Sequence, residues 1–128
     1  MAQTTFDQTA DVSLSTGSAT GFWALDLTDY QNSAGAMTLK LSAIRASDGA
    51  AKHWLYHVAF KRPGSGNTVA TPVLLSTQGT AGDLIALVAV GISFRIQDNY
   101  LWVVDVTGQS NEDFQWTGVM QGCLTVPD

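Results

Sequence analysis

Charged side chains, cysteine and long apolar runs are all scarce in this sequence. Charged residues make up 13% of its 128 residues, about half of the usual quarter. Cys123 is the single cysteine, which excludes a secreted mini-domain held by disulfides. The N-terminus lacks the basic and apolar regions of a secretory signal, and the longest apolar run, residues 84–90, is far below the roughly twenty residues of a membrane span. The sequence therefore predicts a protein that is made and folds in the cytoplasm, with no membrane partner.

Basic residues are outnumbered by acidic ones. Six Lys and Arg stand against eleven Asp and Glu, which gives a formal net charge of -5. Only Lys61 and Arg62 are adjacent basic residues, so no basic patch is available to bind a phosphate backbone. Nucleic acid is therefore not an expected partner.

Apolar and polar residues alternate with a period of two, which is typical of half-buried strands. The alternation is clearest at residues 54–60, 92–97 and 114–126. Asp48-Gly49 and Asp98-Asn99 are predicted to form tight hairpins. The predicted strands lie near residues 11–15, 21–28, 36–46, 51–61, 68–78, 84–90, 92–97, 100–107 and 113–126. This number of short strands predicts an all-β fold, an antiparallel β-sandwich or jelly roll.

The first nineteen residues differ from the rest in composition. They are rich in Thr, Ser, Gln and Ala and contain few large apolar side chains. We therefore expect residues 1–19 to form an extended N-terminal arm that contacts a neighbouring subunit. Residues 20–128 are expected to form a single β-sandwich domain.

No catalytic, cofactor or metal site is predicted. His53 and His57 lie in a strand pattern, where four residues span roughly 13 Å, too far for both to bind one zinc ion. The aspartates are scattered and lie mostly at turns, where their side chains bond nearby backbone amides. Cys123 lies in a strand about seventy residues from either histidine, so a buried or interface thiol is expected. We therefore predict that the chain is not an enzyme and needs no cofactor.

Two pairs of neighbouring large side chains break the inside–outside alternation. Trp23 follows Phe22, and Trp102 lies between Leu101 and Val103. At each of these places, one large side chain is expected to face outward or to contact a partner. Aromatic side chains are enriched at protein interfaces. The interface candidates are Phe6, Phe22, Trp23 and Trp102. The alternative is that an exposed Trp23 or Trp102 stacks on a sugar.

The C-terminal half carries a pattern found in a known class of proteins. Residues 99–108 form a strand that opens with asparagine and ends in Val-Thr-Gly, and residues 114–119 form a strand with a central tryptophan. Together with the hairpin of residues 37–60 and the strand of residues 69–78, this resembles small β-domains of tailed-phage virion proteins. The resemblance covers about residues 20–126. Residues 121–126 depart from it, since the family strand often ends in an acidic residue.

The resemblance implies a virion protein that acts by assembly, usually as a trimer. Because the chain begins at Met1 without room for an attachment section and a shaft, we expect a capsid decoration (cement) protein on the outer surface of the virion. It would bind the major capsid protein or other virion proteins and bridge capsid subunits as a homotrimer. The alternative is a tail-fibre, receptor-binding or carbohydrate-binding module at a phage tail.

Overall fold

The computed structural model describes residues 2–127, with side chains from Thr5 onward. It contains eight strands and one short helix. Their bounds are β1 Ala2–Leu14, β2 Thr20–Asp26, β3 Ser33–Arg45, β4 Ala51–Arg62, β5 Val69–Gln78, α1 Ala81–Ala86, β6 Gly91–Gln97, β7 Leu101–Thr107 and β8 Phe114–Val126.

The strands form two antiparallel sheets that pack face to face. The larger sheet has the order β1-β8-β3-β4-β5, and the smaller sheet has the order β2-β7-β6. Every neighbouring pair is antiparallel. This arrangement confirms the predicted all-β antiparallel sandwich. Within residues 2–127, the structure contains no helix of the length and hydrophobicity needed to cross a membrane.

Both predicted hairpins are confirmed. The β3–β4 turn places Gly49 at a φ of 76°, a conformation that glycine adopts without steric cost. In the β6–β7 turn, Asp98 and Asn99 have φ of 55° and 68°, and Asp and Asn are the other residues that tolerate this region. The residue types at each turn therefore fix where the chain reverses.

The extended arm predicted for residues 1–19 is not confirmed. Residues 2–14 instead form β1, which pairs with β8 along its whole length, from Ala2 opposite Val126 to Leu14 opposite Phe114. Phe6, Val12 and Leu14 pack against the core from this strand. An edge strand with one face in solvent needs few large apolar residues, which explains its polar composition. Met1, also part of the predicted arm, lies outside the described residues.

The strand predicted at residues 84–90 is wrong. Helix α1 covers the start of this segment, and a turn follows it. The Thr80 hydroxyl accepts a hydrogen bond from the Asp83 amide at 3.1 Å, and Asp83 lies in the first helical turn. Ser and Thr are favoured at this capping position because they satisfy an otherwise unpaired amide.

The segment that contains α1 buries one side only. Leu87 and Val90, three residues apart, are buried, whereas Ile85 and Val88 are 77% and 78% exposed. The Lys52 ammonium donates to the carbonyls of Leu87 and Val90 at 3.1 and 2.8 Å. Burial lowers the pKa of this lysine. One side of the α1 segment therefore binds β4 through Lys52, and the side that carries Ile85 and Val88 faces solvent.

The core is built around the inner face of β8. Trp116 is fully buried and stacks on Trp54 of β4, with ring centroids 5.8 Å apart. Gly118 lies two residues further along β8, and a Cβ there would come within 2.9 Å of the Trp23 ring. The missing side chain therefore makes the space in which a tryptophan of the smaller sheet packs against the larger one.

Replacing Trp116 with alanine is expected to destabilise the domain by about 3–5 kcal/mol, because a large buried ring is lost and a cavity remains. Urea denaturation measures the change in the free energy of unfolding. Ile44→Ala is the matched control: Ile44 is 46% exposed, so its truncation should change stability by no more than about 0.5 kcal/mol. Equal effects of the two substitutions would contradict the assigned core.

A pH-dependent interaction lies at the β3–β4 hairpin. The Arg45 guanidinium donates to both oxygens of the Asp48 carboxylate, at 3.0 and 2.6 Å, and the Ala50 amide also donates to it. The Arg45 hydrogen bonds, followed by that amide, lower the pKa of Asp48 to about 2. The carboxylate therefore stabilises the folded state most when it is ionised.

We expect Asp48→Asn to be less stable than the parent chain at pH 7. Because the pKa of Asp48 is about 2 in the folded chain and about 3.9 in an unfolded one, the difference should shrink as the pH falls from about 4 to about 2. Urea midpoints measured across this range test it. Arg45→Gln removes the other partner and should lose the same pH-dependent part of the stability, in addition to a pH-independent loss from its hydrogen bond to Gln109. A difference between Asp48→Asn and the parent chain that does not shrink between pH 4 and pH 2 would contradict the interaction.

Candidate functional site

Trp102, one of the side chains considered for an outward position, is buried. It is 2% exposed and stacks on Phe94 of β6, with ring centroids 4.6 Å apart and planes 14° from parallel. The reason is that β7 is the central strand of the smaller sheet and is buried on both faces from Trp102 to Val106. A buried ring is unavailable for stacking on a sugar in this conformation.

The other three interface candidates are half-buried. Trp23 points toward Gly118 in the core, and Phe22 meets it edge-on with ring centroids 6.0 Å apart. Phe6 lies 6.3 Å from the ring of Phe60. The structure therefore places none of the candidates in a fully exposed patch, and their role at an interface stays a prediction.

The two histidines lie on the outer face of the larger sheet. His53 and His57 are both exposed on β4, and the Nδ1 atom of His53 lies 2.8 Å from the Ser42 hydroxyl. Cys123 is exposed on β8, so it is not a buried thiol, and its position at an interface stays a prediction. Within residues 2–127 the structure has no group of three or more His, Cys, Asp or Glu side chains that could hold a metal ion.

A shallow depression lies on the same outer face, and we call it the polar depression. Ser42 of β3 lies opposite His53 of β4, which lies opposite Gln78 of β5. Lys40 and Ser76 complete its polar lining, and its volume is about 320 Å³. Hydroxyl, amide, imidazole and ammonium groups from three strands are thus presented together to solvent. Such a set can donate hydrogen bonds to a neutral polar ligand and accept them from it.

Several carboxylates have clear structural roles. Besides the pair at the β3–β4 hairpin, Asp83 accepts a hydrogen bond from the Ala51 amide at 3.1 Å. Asp105 of β7 is 7% exposed and pairs with Arg95 of β6 at 2.9 Å. One oxygen of Asp105 has no partner among the described residues. These acids hold together segments that are distant in the sequence.

A second concave feature lies along one side of the sandwich, and we call it the side groove. It lies between β5, the edge strand of the larger sheet, and β6, the edge strand of the smaller sheet. Its volume is about 590 Å³, and its lining includes Val69, Pro72, Phe94, Arg95 and Ile96. No local sequence pattern predicts this groove, because its lining comes from segments that are distant in the sequence.

Comparisons with known proteins identify the fold. No family model matches the chain, and no curated protein matches it. The crystal structure of the Acinetobacter baumannii phage AM24 tailspike protein is similar to it, with a TM-score of 0.54, 8% identity and 91% of this chain covered. The Acinetobacter phage vB_ApiP_P1 tailspike protein is also similar, with a TM-score of 0.50, 13% identity and 96% covered. The chain spans 26% and 22% of those two structures, so it shares the fold of one part of each.

Proposed function

We propose that the chain is a structural β-sandwich module of a bacteriophage tail. The observation that carries the proposal is the similarity of its fold to parts of two phage tailspike proteins, over more than nine-tenths of the chain. The pattern of residues 99–119 independently resembles tailed-phage virion domains. A module of this kind acts by binding other virion polypeptides or a receptor, and the proposal includes no catalytic step.

The similarity favours the tail over the capsid surface. Capsid decoration was the main expectation from the sequence, and it depended in part on an extended N-terminal arm. Residues 2–14 form a strand paired with β8 instead, and nothing in the fold comparison supports a capsid partner. The tail module, the alternative in the sequence analysis, is therefore the better supported function.

Immunogold electron microscopy of purified virions tests this location. An antibody against the chain should label the tail, and quantitative mass spectrometry should find few copies in each virion. Tail-free heads from the same preparation are the control and should carry no label. Label spread over the shell, with hundreds of copies in each virion, would overturn the proposal and restore the capsid decoration role.

A second candidate function is the binding of a surface carbohydrate, and the polar depression favours it. Its serine hydroxyls, glutamine amide and imidazole are groups that hydrogen-bond to sugar hydroxyls. Its volume of about 320 Å³ lies at the lower end of the range for small-ligand pockets. Because Trp102 is buried, a glycan is expected to bind in the polar depression rather than on a tryptophan platform.

We expect the variant with both His53→Ala and Gln78→Ala to bind a host surface glycan at least about tenfold more weakly, which is the loss of about 1.4 kcal/mol. A glycan array identifies the ligand, and calorimetry measures its affinity. Lys61→Ala is the matched control, since Lys61 is exposed on the same strand outside the depression. An equal loss in the control, or no glycan bound by the parent chain, would contradict this function.

A further inference from the structure

The larger sheet ends in a long edge strand. β1 is 13 residues long, and it pairs on one side only, with β8, in a register without interruption. In an antiparallel strand, every second residue directs its N–H and C=O groups away from the neighbouring strand. The free edge of β1 therefore presents a row of backbone donors and acceptors, roughly 40 Å long, to which no described strand is paired.

The other three edge strands carry features that limit the addition of a further strand. A register shift between Gly21 and Trp23 interrupts β2, and β5 contains Pro72 and faces a second register shift. The fourth edge strand, β6, is only 7 residues long. Bulges, prolines and short strands are the means by which proteins protect free edges. In β1 there is no proline and no register shift, so its backbone is open to pairing over its whole length.

The side chains of β1 form two rows. Phe6, Val12 and Leu14 are half-buried and pack against the core. Asp7 and Asp11 are exposed, and because strand side chains alternate, these two acids point to the opposite face, roughly 13 Å apart. A strand that lies along the free edge of β1 therefore meets an apolar row on one face and an acidic row on the other.

The two acids have no basic neighbour on their own strand or on the next one. Neither β1 nor β8 contains Lys or Arg, and Lys40 lies two strands away, on β3. The Gln121 amide donates to the Asp7 carboxylate at 3.4 Å. The free edge of β1 is thus a negatively charged edge with no compensating positive charge on the adjacent strand.

This charge indicates which partner fits. A second β1 placed alongside the first would bring Asp7 and Asp11 opposite or diagonally next to like charges, and like charges on paired strands are destabilising. A strand with Lys or Arg at two positions four residues apart would instead place an opposite charge beside each acid. Apolar residues at the alternate positions of that strand would extend the row that contains Phe6, Val12 and Leu14.

We propose that the free edge of β1 binds an extended segment of a different polypeptide as a sixth strand of the larger sheet. Backbone hydrogen bonds supply the affinity in this mode of recognition, and the alternate side chains supply the specificity. The partner segment carries basic residues four positions apart on one face and apolar residues on the other. This inference does not depend on the proposed tail location, because the free edge is a property of the fold.

A synthetic peptide tests the inference. The probe is acetyl-Thr-Val-Lys-Val-Thr-Val-Lys-Val-Thr-amide, titrated into the full chain labelled with nitrogen-15. We expect NMR to give a dissociation constant of about 1 mM or lower. Hydrogen exchange should slow at alternate amides of β1 and should not change in β5. The same peptide with Glu at both Lys positions should bind at least about tenfold more weakly, because like charges would then lie side by side.

Charge reversal in the chain separates this site from a general attraction between a basic peptide and an acidic protein. The double variant Asp7→Lys and Asp11→Lys should bind the Glu peptide at least about tenfold more tightly than the Lys peptide. The matched control is Asp29→Lys with Asp113→Lys, since both acids are exposed and lie outside β1. It should keep the preference of the parent chain, and circular dichroism should show the same fold in all three chains.

Three results would each overturn the inference. The first is a parent chain that binds neither peptide. The second is slowed hydrogen exchange outside β1 with none in it, a measurement on the parent chain that needs no variant to fold. The third is a reversed preference in the control variant as well, which would show that total charge rather than the free edge of β1 decides the binding.

Discussion

The position of β8 between two long strands is the constraint on which the rest of the structure depends. It pairs with β1 on one side and with β3 on the other over nearly its whole length. A shift of one residue in either register would turn Trp116 and Met120 from the core to solvent. Gly118 in the same strand leaves space for Trp23 of the other sheet. One strand therefore sets both the register of the larger sheet and the way in which the two sheets face each other.

Local chemistry explains what the sequence could predict. Asp48-Gly49 and Asp98-Asn99 mark their turns because few residue types tolerate a positive φ. Alternation likewise predicts the inner face of β4 and β8, since each of these strands has one face in the core and one outside. Residues 84–90 were misassigned because a short apolar run has no period of its own. The deciding signal was the capping residue Thr80, just outside that run.

Long-range pairing explains what the sequence could not predict. A polar segment such as residues 2–14 becomes a strand only because β8 offers it an unpaired edge. Trp102 is buried together with the four residues that follow it because β7 is central in its sheet, so alternation is absent there. The polar depression likewise depends on the register that brings Ser42, His53 and Gln78 side by side. No local pattern records such a register.

The pairing of β1 with β8 also has a mechanical consequence. Because Ala2 lies opposite Val126, the two ends of the described chain leave the sandwich at the same place and on adjacent strands. A force that pulls these ends apart breaks the hydrogen bonds between β1 and β8 one pair at a time rather than shearing all of them together. A domain with this geometry resists tension weakly when it is loaded through its own ends. It is better suited to sit beside the line of force in an assembly than to carry that force.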